Sequence, residues 1–421
     1  MIARNTCHGA LVSAVAVVIA VPLPAQVDTA LARRWFHEAD SLCNAEGGRL
    51  WGRSLCGPMV FADAKTGTIA TNRPVPEGPR PRILGYANSA WEWGGARWST
   101  FVWSMIPADS APMRGRLMIH ELFHRIQPEL GLFVKAAPEN GHLDTMDGRY
   151  WLQLEWRALA LALSSTGSAR RAAIADALGF RAERRTLFAS AAAAERPVEI
   201  NEGLPQYTGT LVAARDRVFA VADAIRQLAD VTRLESFVRT FAYPLGTAYG
   251  LLLDDFDPSW RSHLTAEDDL GVLLQRASGV MRTQDVEAAA ARYDGAALLA
   301  SERAREAARL TRVAGLRARF IEGPVVIVPR GTGATFTTTG LTPLGEAGTV
   351  VPQYRVSGPW GSLEADQVLV ATDQSTLTLP GPATIAGNVL RGDGWTVTLA
   401  DGWTTVAGAR DGDLTVVVAR P

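Results

Sequence analysis

Lysine is almost missing from this 421-residue chain: only Lys65 and Lys135 are present, and arginine supplies the rest of the 42 basic residues. We read that bias as a habit of genome composition. Set against 43 acidic residues, these cations leave a formal charge of −1, so no global positive field draws the chain to nucleic acid or anionic lipid. No acidic tail and no fixed-period repeat is visible. Long apolar runs are lacking too: the longest, Ala10 to Leu23, falls short of the roughly 20 residues that a membrane-crossing helix needs. Cysteine is scarce, with Cys7, Cys43 and Cys56.

What is present describes a globular protein. Hydrophobic residues make up 47% and charged residues 20%, and the length allows two or three domains, which rules out a minimal peptide or lone module. Met1-Ile-Ala-Arg4, the apolar stretch from Ala10 and then Pro24-Ala25-Gln26 follow the order of a secretory signal, with cleavage expected after Ala25. A retained anchor is the alternative. Export, periplasmic or extracellular, places Cys43 and Cys56 where a disulfide can persist; two buried thiols are the other reading.

Along the mature chain, Asp28 to Glu46 has helical periodicity, and Val60 to Ala70 reads as two short strands around a turn at Lys65-Thr-Gly67. Trp91, Trp93, Trp98 and Trp103 crowd the following stretch, which becomes strand-like from Ser99 to Ile106. Pro112 to Leu316 is dominantly helical. Past Gly323 the composition changes to alternating Val, Thr, Gly and Pro, read as an antiparallel β-sandwich. Arg330-Gly-Thr-Gly-Ala334 is read as a turn between strands, because no helix signal follows it.

The segment His120-Glu121-Leu-Phe-His124 lies inside helical periodicity. Two histidines one turn apart share a helix face, so two imidazole nitrogens can reach one metal ion. Glu121, directly after the first, can approach a water at the metal without binding the metal itself. This is the HExxH arrangement of zinc hydrolases. Such a site wants a third protein donor, and the continuation Arg-Ile-Gln-Pro-Glu-Leu-Gly131 offers no histidine. Two carboxylates remain as candidates: Glu202, in Glu199-Ile-Asn-Glu202-Gly-Leu-Pro-Gln-Tyr207, and Glu155, in the middle of an apolar helix.

His-Glu-Leu-Phe-His followed by Asn-Glu-Gly-Leu-Pro-Gln-Tyr resembles the gluzincin metallopeptidases, in particular the peptidase-MA-like group and related aminopeptidases. The resemblance covers roughly residues 85 to 255. It implies a Zn2+ cofactor held by His120, His124 and Glu202, with Glu121 as general base. Two departures matter: Pro205 stands where that family usually has alanine, and 77 residues separate His124 from Glu202, a longer spacer than the aminopeptidases have. An inserted helical pair containing Glu155 would account for the length; the alternative is that Glu155 replaces Glu202 as the ligand, in the manner of other gluzincin branches. Tyr243-Pro-Leu-Gly246-Thr-Ala-Tyr249 is similar to the helix start that supplies an oxyanion-binding tyrosine, so Tyr243 is the expected donor with Tyr249 behind it. Gly94-Gly95-Ala96-Arg97-Trp98 lacks the Glu-Asn ending by which the aminopeptidase branch grips a free amino terminus.

Residue patterns and resemblance together predict an α+β chain. Residues 26–320 would form a mainly helical zincin-like catalytic domain with a small N-terminal sheet, and residues 321–421 an accessory antiparallel β-sandwich. The expected substrate is a peptide or protein, with no nucleic acid partner and no stable membrane span once residues 1–25 are removed. The alternatives are a zinc hydrolase acting on something else, such as a cell-wall peptide, and an exported binding module without turnover. His142 is expected to be a solvated loop residue or a supporting group near the site. The arginines at 170, 171, 181, 184 and 185 are expected on an exposed helix face.

Overall fold

The computed structural model describes residues 26–134, 140–336 and 340–419. The secretory segment read in residues 1–25 therefore lies outside the described residues. Among the described residues no helix is long and apolar enough to cross a membrane.

The fold is mixed helix and sheet with a sheet-rich C-terminal region. Helix α1 (Thr29–Glu46) begins where Asp28 accepts hydrogen bonds from the amides of Ala30 and Leu31, at 2.8 and 3.0 Å. Ala32, Trp35, Phe36, Ala39 and Cys43 form its buried stripe at helical spacing. A disulfide joins Cys43 to Cys56 with their Cα atoms 5.3 Å apart, a closure that stabilises the fold by about 3 kcal/mol on chain-entropy grounds.

Four short strands follow: β1 (Met59–Ala62), β2 (Ile69–Thr71), β3 (Ser89–Trp93) and β4 (Ala96–Val102), in the order β2-β1-β4-β3. β1 and β2 are the expected antiparallel pair. β4 runs parallel to β1, and β3 is left as an edge beside the helical layer. The strand expected to reach Ile106 stops at Val102 and continues as a single 3-10 turn, Trp103–Met105.

Helix α2 (Ala111–Ile126) starts at Ser110, whose hydroxyl accepts from the Met113 amide, and carries Pro112 in its first turn. Its buried face is Met118, Ile119, Leu122, Phe123 and Ile126. Helices α3 (Met146–Ser164), α4 (Gly167–Leu187), α5 (Ala191–Val198), α6 (Leu204–Ala213), α7 (Arg217–Asp230) and α8 (Ala242–Phe256) belong with it to one continuous apolar core, α6 lying directly against α2. Between α5 and α6 the chain does not break: Glu199–Gly203 forms a wider π-helical turn.

The long helix Gly295–Arg317 leads to the C-terminal strands, and its end docks on them through Leu316 and Phe320 against Leu344, Val350 and Leu369. Those strands form one eleven-stranded sheet. The strand Gly361–Val370 explains how one sheet encloses a core. Residues 361–365 pair with Trp395–Leu399, while residues 369 and 370 pair with Thr376–Pro380, so the sheet forks there and wraps around Val328, Leu363, Leu377, Trp395 and Val397. The expected all-antiparallel pairing needs one correction. The first strand, Val325–Pro329, is parallel to the last, Leu414–Val418.

One close approach fixes the helical layer near the π-helical turn. Gly203, at the end of that turn, meets Gly246 of α8, and a Cβ on Gly203 would lie 2.9 Å from the Gly246 Cα; a Cβ on Gly246 would overlap the Gly203 backbone. Only glycine at both positions lets the two backbones touch. Gly246→Ala is expected to destabilise the fold by about 1–3 kcal/mol through overpacking. Gly315→Ala, in open space on an exposed helix, should instead stabilise it by up to about 1 kcal/mol. Urea unfolding of the two variants checks the contrast, and equal midpoints would show that the contact is not tight.

Candidate metal centre

The periodicity that buries one side of α2 turns a neighbouring stripe toward a cleft. His120 and His124 lie on it, with their Nε2 atoms 3.1 Å apart and their rings edge to face. The π-helical turn brings Glu202 against them: its Oε2 is 3.4 Å from His120 Nε2 and 3.6 Å from His124 Nε2. These three residues could hold a metal ion. A small divalent ion bound tetrahedrally at about 2.0–2.1 Å requires donor-to-donor edges of roughly 3.3–3.4 Å, and the three separations bracket that value. The donor set, two imidazoles and a carboxylate, therefore fits such an ion in both chemistry and spacing.

The outer nitrogens are also fixed. His124 Nδ1 faces Gln127 Oε1 at 2.9 Å and His120 Nδ1 faces Gln206 Oε1 at 3.2 Å. A carbonyl oxygen there requires the proton on Nδ1, which turns the Nε2 lone pair of a neutral ring toward the cleft. Gln127 does more than orient a ring. Its Nε2 donates to the carbonyls of Ile200 at 3.0 Å and Asn201 at 3.4 Å, in the turn that carries Glu202. Pro205 has no amide to donate, so it gives neither an i+5 bond to the Ile200 carbonyl nor an i+4 bond to that of Asn201, the two carbonyls that Gln127 serves. The Asn201 side chain pins the same turn by exchanging two hydrogen bonds with the Val134 backbone, at 2.9 and 2.7 Å. Neither glutamine stood out in the sequence, although spacing marks both. Gln127 follows His124 by three positions and Gln206 follows Glu202 by four, each a same-face interval on a helix.

Glu121 is buried, and its Oε2 has no hydrogen-bond partner among the described residues. Burial raises its pKa, partly opposed by His120 and His124 and reinforced by Glu202. Burial also acts on His124, favouring the neutral ring, but the hydrogen bond and charge of Glu202 together with Glu121 raise its pKa to about 9. Glu202 itself would be raised by burial, yet the two histidines hold it well below the usual carboxylate range. Tyr243, one turn before Gly246 on α8, stacks on His120 with ring centroids 5.6 Å apart. Burial and the facing Glu202 carboxylate push its hydroxyl far above the ordinary value, keeping it a proton donor.

The rival residues lie elsewhere. Glu155 is fully buried and accepts from Arg181 at 3.2 Å, Arg184 at 2.5 Å and the Tyr249 hydroxyl at 2.6 Å. Both Glu155 and Tyr249 are thus committed to a charge network away from the three donors. His142 is in that network as well, bonded to Glu195 at 3.0 Å. This corrects the arginine reading: Arg181 and Arg184 are buried rather than exposed, because α4 must supply cations to the buried carboxylates of Glu155, Glu195 and Glu199. Of the tryptophans, Trp93, Trp98 and Trp103 are core, and Trp91 is half exposed on the edge strand.

No family model, curated protein or solved structure matches this chain, so the functional reading rests on the residues themselves.

At neutral pH the metal-free His124 carries a proton that a metal ion must displace. Affinity for a divalent metal ion, probed with Zn2+, is therefore expected to climb as pH rises from 6 toward 9, with proton release on binding. Calorimetry in buffers of different protonation heat measures both, and a flat profile would contradict the assigned coupling. Gln127→Leu should weaken zinc binding by about 10- to 100-fold, read by competition with a chromophoric chelator.

Proposed function

We propose that this chain is an exported zinc metallopeptidase of the gluzincin type. The observation that carries the reading is the buried Glu121 Oε2, which has no hydrogen-bond partner among the described residues, beside the convergent His120, His124 and Glu202 donors. A buried carboxylate oxygen without a hydrogen bond is costly, and a general base awaiting substrate water gives that cost a purpose. The Cys43–Cys56 disulfide fits the oxidising compartment that export implies. On this reading residues 26–320 form the zincin-like catalytic domain and residues 321–421 an accessory domain.

His120, His124 and Glu202 would hold Zn2+. When bound, zinc supplies Lewis-acid polarisation of a carbonyl and lowers the pKa of a water toward neutrality. Glu121 takes the proton of the attacking water at its free Oε2 and passes it to the leaving amine; its raised proton affinity suits both halves of that task. Tyr243, held as a neutral hydroxyl, donates a hydrogen bond to the oxyanion that develops as the amide carbon becomes tetrahedral. Peptide-bond hydrolysis needs these three functions together.

Glu121→Gln should keep zinc and fold but lose turnover of an unfolded-protein substrate, whereas Tyr243→Phe should lower kcat by roughly 100- to 1,000-fold. The checks are metal content by mass spectrometry and a peptide-release assay. A wild-type chain that folds but takes up no zinc would sink the proposal, and a fully active Glu121→Gln protein would remove the base assignment.

A further inference from the structure

Arg97 is the second residue of β4 and pairs across the sheet with Glu92 of β3. Side chains alternate along a strand, so Arg97, Ser99 and Phe101 leave the same face. Ser99 identifies which face it is, because its hydroxyl donates to the Glu121 carbonyl on α2 at 2.9 Å. Arg97 accordingly lines the cleft of about 510 Å³ that contains His120, Glu121, His124 and Glu202. Among the described lining residues it is the one permanent cation.

That cation is poorly matched within the chain. Its Nη1 reaches Glu92 Oε1 at 3.5 Å, the outer limit of a hydrogen bond, and the Glu92 side chain is 66% exposed. Its Nε is buried with no partner among the described residues. By contrast, buried Arg114 on α2 donates to Glu38 and to the carbonyls of Pro107 and Ala108. Arg125, Arg181 and Arg196 also bury an unpaired Nε, but of these arginines only Arg97 lines the cleft, where the 31% exposed part of its side chain leaves guanidinium N–H groups for a bound acceptor. Its planar fork matches the two oxygens of a carboxylate. With a divalent ion at the neighbouring donors, Glu121 and Glu202 offset the ion and leave Arg97 as the uncompensated charge of the cleft.

We infer that Arg97 is a specificity-determining residue that binds a carboxylate of the substrate. That carboxylate is an acidic side chain or the terminal carboxylate of a peptide, at a fixed distance from the bond to be cleaved. The inference rests on the metallopeptidase reading for the identity of the substrate, but its test reads binding.

Zinc-supplied Glu121→Gln protein is incubated with a randomised hexapeptide mixture, once as free acids and once with amidated C termini, and retained peptides are sequenced by mass spectrometry. Enrichment of Asp and Glu over Asn and Gln at one position by about 10- to 100-fold is expected in the amidated pool if the side chain is read. Preferential retention of the free-acid pool is expected if the terminus is read. Adding Arg97→Gln should abolish the preference, adding Arg97→Glu should turn it toward Lys and Arg, and adding Glu92→Gln should strengthen it. Thermal unfolding verifies that each variant is folded. No carboxylate preference in either pool, or one unchanged by Arg97→Gln, overturns the inference. The two readings separate in the outcomes: a wild-type chain that retains acidic peptides yet cleaves none loses the peptidase reading and keeps the Arg97 assignment. Cleavage without any carboxylate preference removes Arg97 alone.

Discussion

His120, His124 and Glu202 crowd their donor atoms to within 3.6 Å of one another, and crowding of lone pairs is unfavourable unless a cation sits among them. The same crowding raises the proton affinity of His124 and holds Glu202 below the usual carboxylate range. Much of the surrounding structure keeps those groups from separating. Gln127 ties α2 to the turn that carries Glu202, Asn201 ties that turn to Val134, and the Gly203–Gly246 contact ties it to α8. Each anchor restrains a different side of one π-helical turn, a local widening that proteins use where a helix must present a side chain off its regular face.

A second set of charges supports the same turn from behind. Arg181 grips both oxygens of Glu199, at 2.8 and 2.6 Å, three residues before Glu202. Arg184 joins Glu155 to Glu195. Buried ion pairs of this kind contribute little net stability against apolar replacements, but losing one partner strands a charge. Their physical effect here is register. α3, α4 and the π-helical turn can satisfy these carboxylates in one relative placement, and that placement is the one that brings Glu202 to the histidines.

The donor pair on α2 was legible in the sequence because helical geometry is local: an interval of four puts two side chains on one face wherever the helix forms. The small N-terminal sheet, the helical middle and the strand-rich end were legible for the same reason, as periodicity and composition report local structure. The choice of Glu202 over Glu155 came only from the resemblance of the Asn-Glu-Gly segment, not from local geometry. Both are carboxylates in helical surroundings, and only the position of Arg181, Arg184 and Tyr249 around one of them separates their environments. The same network hides in Arg181 and Arg184, which read as surface charge until α3 and the π-helical turn cover them.

By itself the sequence determined that α2 would carry His120, Glu121 and His124 as one unit, that glycine would stand at 203 and 246, and that a different kind of chain would begin after Gly323. These follow from intervals and side-chain chemistry that act over a few residues. The tertiary structure brought the preferred carboxylate, Glu202, to the histidines and the preferred tyrosine, Tyr243, onto His120, and it alone decided which arginine is left poorly matched in the cleft. Those outcomes depend on contacts between segments far apart in the chain, where burial and the full set of neighbouring charges, rather than local spacing, set the partner of each group.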